Sequence, residues 1–133
     1  MENKVKIMIA ENNDFGQSCV RTLSSYGYSV VLTDKDGAQV LTKLKQEKPD
    51  VIIMDAFMLH IDALGVIKQI KETADVRKPM IIVLSSVDNM RFESEILNGG
   101  ADYYFLKPVD AEIIAQRISQ LSGWKNSNSA ERT

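Results

Sequence analysis

Two hydrophobic periodicities alternate along this chain, and no other feature of it limits the fold as strongly. Apolar runs of strand length fall at residues 5–10, 29–33, 51–54, 80–84 and 103–106. Three are almost unbroken (IIM, MIIVL, YYFL), as strands covered on both faces of a parallel sheet must be. Between them lie longer stretches with helical spacing. Phe15, Cys19, Val20 and Leu23 lead to Gly27, a helix stop. Ala38, Leu41, Leu44 and Lys45 precede Pro49, which forbids further helix. Leu64, Ile67, Ile70 and Lys71 mark a third helix, and residues 90–98 a fourth that closes at Gly99-Gly100. The spacing predicts a fifth over 111–122, with Ile113, Ile114, Arg117, Ile118 and Leu121 facing inward. Strict βα alternation with right-handed crossovers gives a doubly wound parallel sheet, an α/β fold of a single (βα)5 unit.

The 133 residues suit one domain. Residues 1–122 carry the periodicity, and the serine-rich polar stretch at 123–133 reads as a flexible tail or the start of an interdomain linker. A net charge of −2 gives no general electrostatic reason to bind nucleic acid. The single cysteine, Cys19, excludes an internal disulfide, argues for a reducing compartment, and sits on an apolar helical stripe as a small core residue. The N-terminal apolar stretch is too short for a signal segment or a membrane span. A soluble, cytoplasmic protein is expected.

In doubly wound sheets, ligands sit beyond the carboxyl ends of the strands. Those ends carry Glu11, Asn12 and Asn13, then Asp55, then Ser85 and Ser86, then Lys107-Pro108. The set suits phosphoryl transfer to a carboxylate. Asp55 is the nucleophile, Glu11 and Asp55 are Mg²⁺ ligands with the Asn12 carbonyl as a neutral third oxygen, Lys107 is a point charge on phosphoryl oxygens, and Ser85 is a hydrogen-bond donor to the attached group. Each residue also has a plainer use. Asp55 and Ser85 can cap or turn the chain, Asn12-Asn13 can cap the first helix, and a lysine such as Lys107 is ordinarily exposed. Their coincidence at strand ends favours the chemical reading. A small α/β enzyme or flavin carrier is a third class. It lacks support, because there is no GxGxxG or GxxxxGK[ST] loop and His60 is the only histidine.

Over about residues 3–122 the chain resembles the receiver domain of two-component response regulators. The likeness is carried by PDVIIMD ending at Asp55, IIVLSS with Ser85 thirty residues on, and YYFLKP with Lys107 twenty-two further. More narrowly, MLHIDAL (which includes His60) and GADYYFLKPVDAEIIAQRISQLSG resemble the receivers of sporulation regulators from endospore-forming bacteria. The resemblance implies a flavodoxin-like strand order 2-1-3-4-5 and no enzymatic turnover beyond the domain's own phosphorylation and dephosphorylation. It implies Asp55 as phosphoacceptor, Ser85 and Tyr104 as switch residues, Lys107 as the pairing cation, and a cis bond before Pro108. It also implies Mg²⁺ held by Glu11, Asn12, Asp55 and the backbone carbonyl of Phe57.

By the same resemblance the partners are a histidine kinase or phosphotransfer protein and a second copy of the chain. The signal passes through the surface of the fourth helix, fifth strand and fifth helix, and DNA is reached only through a separate effector domain. Glu11-Asn12 stands where the family carries two aspartates, which removes one negative charge and implies weaker Mg²⁺ binding. Leu59 replaces the usual proline and Ala63 the usual glycine. The alternative function within this fold is a pseudo-receiver, an interaction domain without efficient metal-dependent chemistry.

Overall fold

The computed structural model describes residues 4–73 and 78–120. The expected tail, the domain boundary at 122 and Leu121 lie outside them. The strands are β1 (Lys6–Ala10), β2 (Ser29–Thr33), β3 (Val51–Asp55), β4 (Met80–Ser85) and β5 (Tyr103–Leu106). The helices are α1 (Asp14–Ser25), α2 (Gly37–Glu47), α3 (Ala63–Glu72), α4 (Met90–Gly99) and α5 (residues 111–120). All strand pairs are parallel, in the order β2-β1-β3-β4-β5. The expected fold class is the observed one.

Strand side chains alternate between two cores, as the two-residue period requires. Met8, Ala10, Ile52, Met54, Ile81 and Val83 face Val40 and Leu44 of α2, Val66, Ile67 and Ile70 of α3, and Ile96 of α4. Ile7, Ile9, Val51, Ile53, Ile82 and Leu84 face Cys19 and Leu23 of α1 and Ile114, Ala115 and Ile118 of α5. With both faces covered, the central strands have no room for polar side chains until they reach their carboxyl ends. There β3 continues through Asp55 and β4 through Ser85, one residue further than the apolar runs suggest. Two consequences follow for the site. The Asp55 and Ser85 backbones are held in the ladder, paired across to Leu84 and Leu106. Their side chains therefore project from fixed positions.

Helix ends follow local chemistry. Asn13, Asp36, Asp62 and Asn89 cap α1 to α4, each accepting from amides of the first turn. Gly100, at φ 131°, closes α4, with Gly99 as its last residue. One inward assignment needs correction. Ile113 is exposed, because Ile114 beside it takes the core position and neighbours on a helix point about 100° apart. On α2 and α3 the apolar Leu44 and Ile70 fill the core, and the neighbouring Lys45 and Lys71 are exposed.

Cys19 is fully buried, as expected, and burial followed by the nearby Glu11 charge pushes its thiol pKa up to about 12. The thiolate is the reactive form. Native protein at pH 8 is therefore expected to resist iodoacetamide over an hour and to take up one equivalent in denaturant, as followed by intact mass.

Candidate functional site

Glu11, the first residue beyond β1, is 3% exposed, and Asp55 is 7% exposed. Burial of two carboxylates this close demands partners. Lys107, first beyond β5, supplies the main one. Its ammonium group donates to Asp55 Oδ2, and lies 3.4 Å from Glu11 Oε2. Burial alone would pull the Lys107 pKa down, but the Asp55 bond and charge, with Glu11 added, hold it above the ordinary lysine value. The Phe57 amide donates to Asp55 Oδ1 at 2.9 Å, which fixes the plane of the carboxylate.

Sequence reasoning missed a second lysine. Lys35, in the loop between β2 and α2, brings its ammonium group to 4.0 Å from both Glu11 Oε2 and Asp55 Oδ2. The roles of the two asparagines also divide. Asn13 Oδ1 caps α1 through Gly16 N, while Asn13 Nδ2 donates to Glu11 Oε2 at 3.0 Å. Asn12 is exposed, and its Oδ1 accepts from Gln17 Nε2 at 3.4 Å instead of facing the carboxylates. Glu11 Oε1 is buried with no hydrogen-bond partner among the described residues.

Ser85 is fully buried, and its Oγ accepts from the Val87 amide at 3.0 Å. The Tyr104 hydroxyl donates to the Val87 carbonyl at 2.6 Å. The two expected switch residues thus hold the same residue, Val87, through its amide on one side and its carbonyl on the other. Tyr104 lies edge-on to Phe92 of α4, and Phe92 stacks on the exposed ring of Phe57 at 5.5 Å. The Lys107–Pro108 peptide bond is cis, as the resemblance implies. A cleft of about 420 Å³ opens beside the carboxylates, lined by Glu11, Asn13, Phe15, Lys107, Pro108 and Val109. His60 stands away from the carboxylates at φ 68°, with Nδ1 3.0 Å from Asp36 Oδ2. Hydrogen bonds from Gln39, His60 and Ala38 overcome burial and lower the Asp36 pKa.

The site fits a divalent cation in part. The unpartnered Glu11 oxygen and the Asp55 carboxylate are hard oxygen donors of the kind Mg²⁺ accepts. Among the described residues, however, no group of three or more His, Cys, Asp or Glu side chains is placed to hold a metal.

Residues 7–119 match the response regulator receiver domain family. A probable transcriptional regulator, ycf27, of Guillardia theta is 34% identical over 119 residues, which is 89% of this chain and 45% of that protein. The chain thus spans under half the length of that relative. The receiver domain of a sensor histidine kinase from Pseudomonas aeruginosa PAO1, solved with magnesium in its active-site cleft, is 28% identical with a TM-score of 0.71, over 89% of this chain and 96% of that one. A Francisella response-regulator receiver shares the fold at a TM-score of 0.82 and 22% identity, covering 92% and 99%. Among the described residues, no helix is long and apolar enough to cross a membrane.

Proposed function

Because the chain belongs to the response regulator receiver domain family, we propose that it accepts a phosphoryl group on Asp55 from a histidine kinase or phosphotransfer protein. One observation carries the reading. The carboxylate lies at the rim of the sheet, its plane fixed by the Phe57 amide on one oxygen, with the Lys107 ammonium group on the other. Phosphoryl transfer needs positioning and charge neutralisation more than covalent help. Asp55 attacks phosphorus, the donor's bond to phosphorus breaks with its electron pair leaving on the donor, and Lys107 holds the charge that gathers on the oxygens. Mg²⁺ bound by Glu11, Asp55 and the Phe57 carbonyl would supply further neutralisation. The magnesium seen in the Pseudomonas receiver supports that reading.

Once Asp55 carries the group, Ser85 Oγ turns to donate to it and releases the Val87 amide. Tyr104, bonded to the carbonyl of the same Val87 and packed edge-on to Phe92, then responds and carries the change to α4, β5 and α5. That surface would serve dimerisation and an effector. The ycf27 relative favours transcription as the output. A link to sporulation rests on the MLHIDAL and GADYYFLKPVDAEIIAQRISQLSG segments alone. A cytoplasmic location suits the absence of a spanning helix among the described residues.

Incubation with acetyl phosphate and Mg²⁺ is expected to add one phosphoryl mass to the wild-type chain and none to Asp55→Asn. Equal labelling of both proteins, or of neither, counts against Asp55.

The pseudo-receiver reading draws on one observation, the engagement of Asn12 Oδ1 with Gln17, away from the carboxylates. A Mg²⁺ titration separates the two. Binding no tighter than tens of millimolar, together with no phosphoryl adduct, favours an interaction domain.

A further inference from the structure

We propose that Lys35 is a second phosphoryl-binding cation of this site. It shares the neutralisation of the phosphoryl group with Lys107, and so makes phosphorylation of this chain less dependent on Mg²⁺. The inference rests on the reading of Asp55 as phosphoacceptor and adds a residue and a regulatory property to it.

Lys35 does not reach the site by accident of a mobile loop. Its carbonyl accepts from the Leu59 amide at 3.1 Å, and the Leu59 carbonyl accepts from the Gly37 amide at 2.9 Å. A short parallel bridge pairs Asp36 with Leu59 between those bonds. Gly37 packs so tightly on this seam that an added Cβ would lie 2.0 Å from the Ile61 carbonyl oxygen. Asp36 is buried and caps α2. The loop after β2 is therefore stitched to the loop after β3, which itself begins directly beyond Asp55. The backbone from which the Lys35 side chain leaves is thus held beside the carboxylates. Its ammonium group ends equidistant from the two carboxylate oxygens that Lys107 also contacts.

The resulting charge pattern is two ammonium groups against two carboxylates, with no net charge before any ligand arrives. The same oxygens would have to hold a divalent ion. An ammonium group 4.0 Å from each of them opposes the metal and favours an anion. When Asp55 takes a phosphoryl group from acetyl phosphate, the bond between phosphorus and the acetyl oxygen breaks and acetate leaves with the electron pair. The carboxylate is replaced by an acyl phosphate with one more negative charge. Lys35 and Lys107 flank that charge directly. Lys35 is 46% exposed, so removing its ammonium group leaves the core and the seam untouched.

The full chain and its Lys35→Ala and Lys35→Arg variants are compared in two ways. The first is the rate of phosphorylation by acetyl phosphate in EDTA and in excess Mg²⁺, read by intact mass. The second is a Mg²⁺ titration without phosphodonor, followed through backbone amide NMR shifts. Lys35→Ala is expected to bind Mg²⁺ at least about tenfold more tightly, the effect of removing one unit charge about 4–6 Å from a doubly charged ion in a water-like dielectric. The same variant is expected to be phosphorylated about tenfold more slowly in EDTA, with little loss in excess Mg²⁺. Lys35→Arg should keep the wild-type pattern. A merely structural role would not tighten metal binding. If wild type is labelled and Lys35→Ala matches it in both measurements, Lys35 has no such role and Asp55 keeps its own. If wild type is never labelled, the phosphoacceptor reading and this inference fall together.

Discussion

Lys107→Ala is expected to slow phosphoryl transfer to Asp55 about a hundredfold, the usual loss when one preorganised charge-stabilising donor is removed. It is also expected to destabilise the fold by about 2 kcal/mol. Both effects come from the same contact. Among the described residues the Lys107 ammonium group is the closest cation to Asp55 and Glu11, and both carboxylates are nearly inaccessible to water. Without it, Lys35 at 4.0 Å is the one cation left opposite them among the described residues. The loss should fall short of a fully buried pair, because 26% of the lysine side chain is exposed and Lys35 remains.

The pH dependence has a definite sign. The folded-state pKa of Lys107 is raised above its unfolded value. Its contribution is therefore complete below the ordinary lysine value, about 10.4, and is lost as pH rises through the higher folded value. The stability gap between wild type and Lys107→Ala should stay level from neutral pH to the ordinary lysine value and close above it. Urea titrations across that range measure it. A gap that widened in alkali would contradict the pairing.

Gly16→Ala is expected to cost about 3 kcal/mol, at the upper end of the range for overpacking, and roughly 10 °C in Tm for a chain of this size. Gly16 lies in the first turn of α1, directly over the end of β1. A Cβ there would sit 1.8 Å from the Glu11 carbonyl oxygen and 2.9 Å from its carbon. That neighbour is backbone and cannot rotate away. Relief requires α1 to lift, which breaks the bond from Gly16 N to Asn13 Oδ1 and loosens the Asn13 bond to Glu11. The damage thus extends to the site, and Mg²⁺ binding should weaken together with stability. Thermal melts of Gly16→Ala and of Gly27→Ala make the comparison. The latter position has open space and only a positive φ to oppose a side chain, so its cost should be about 1 kcal/mol.

Much of this arrangement is legible in the sequence because it is governed by period and position. Runs such as IIM and MIIVL have no polar face, so they declare a sheet covered on both sides. Asp55 and Lys107 stand out because they are charged residues directly following such runs. Lys35 is hidden for the opposite reason. It follows a half-buried edge strand within the polar loop DKDG, where a lysine is ordinarily solvated. Only the Leu59 seam, a contact between distant loops, turns it toward the carboxylates. Asn12 and Asn13 are indistinguishable as adjacent turn formers, and the helix start decides that Asn13 serves Glu11 while Asn12 meets Gln17. Ile113 and Ile114 are equally apolar, and the rotation of α5 admits only one to the core. The stack of Phe57 on Phe92 carries no signal in sequence, since it joins a loop tip to a helix thirty-five residues away.

Which side chain carries the phosphoryl group is open to direct chemistry. Borohydride reduces an aspartyl phosphate to homoserine, and peptide mass mapping locates the changed residue. After treatment with acetyl phosphate and Mg²⁺, homoserine should appear at position 55 and nowhere else. Homoserine at another acidic position, with Asp55 intact, would contradict the claim that the carboxylate held by Lys107 is the acceptor.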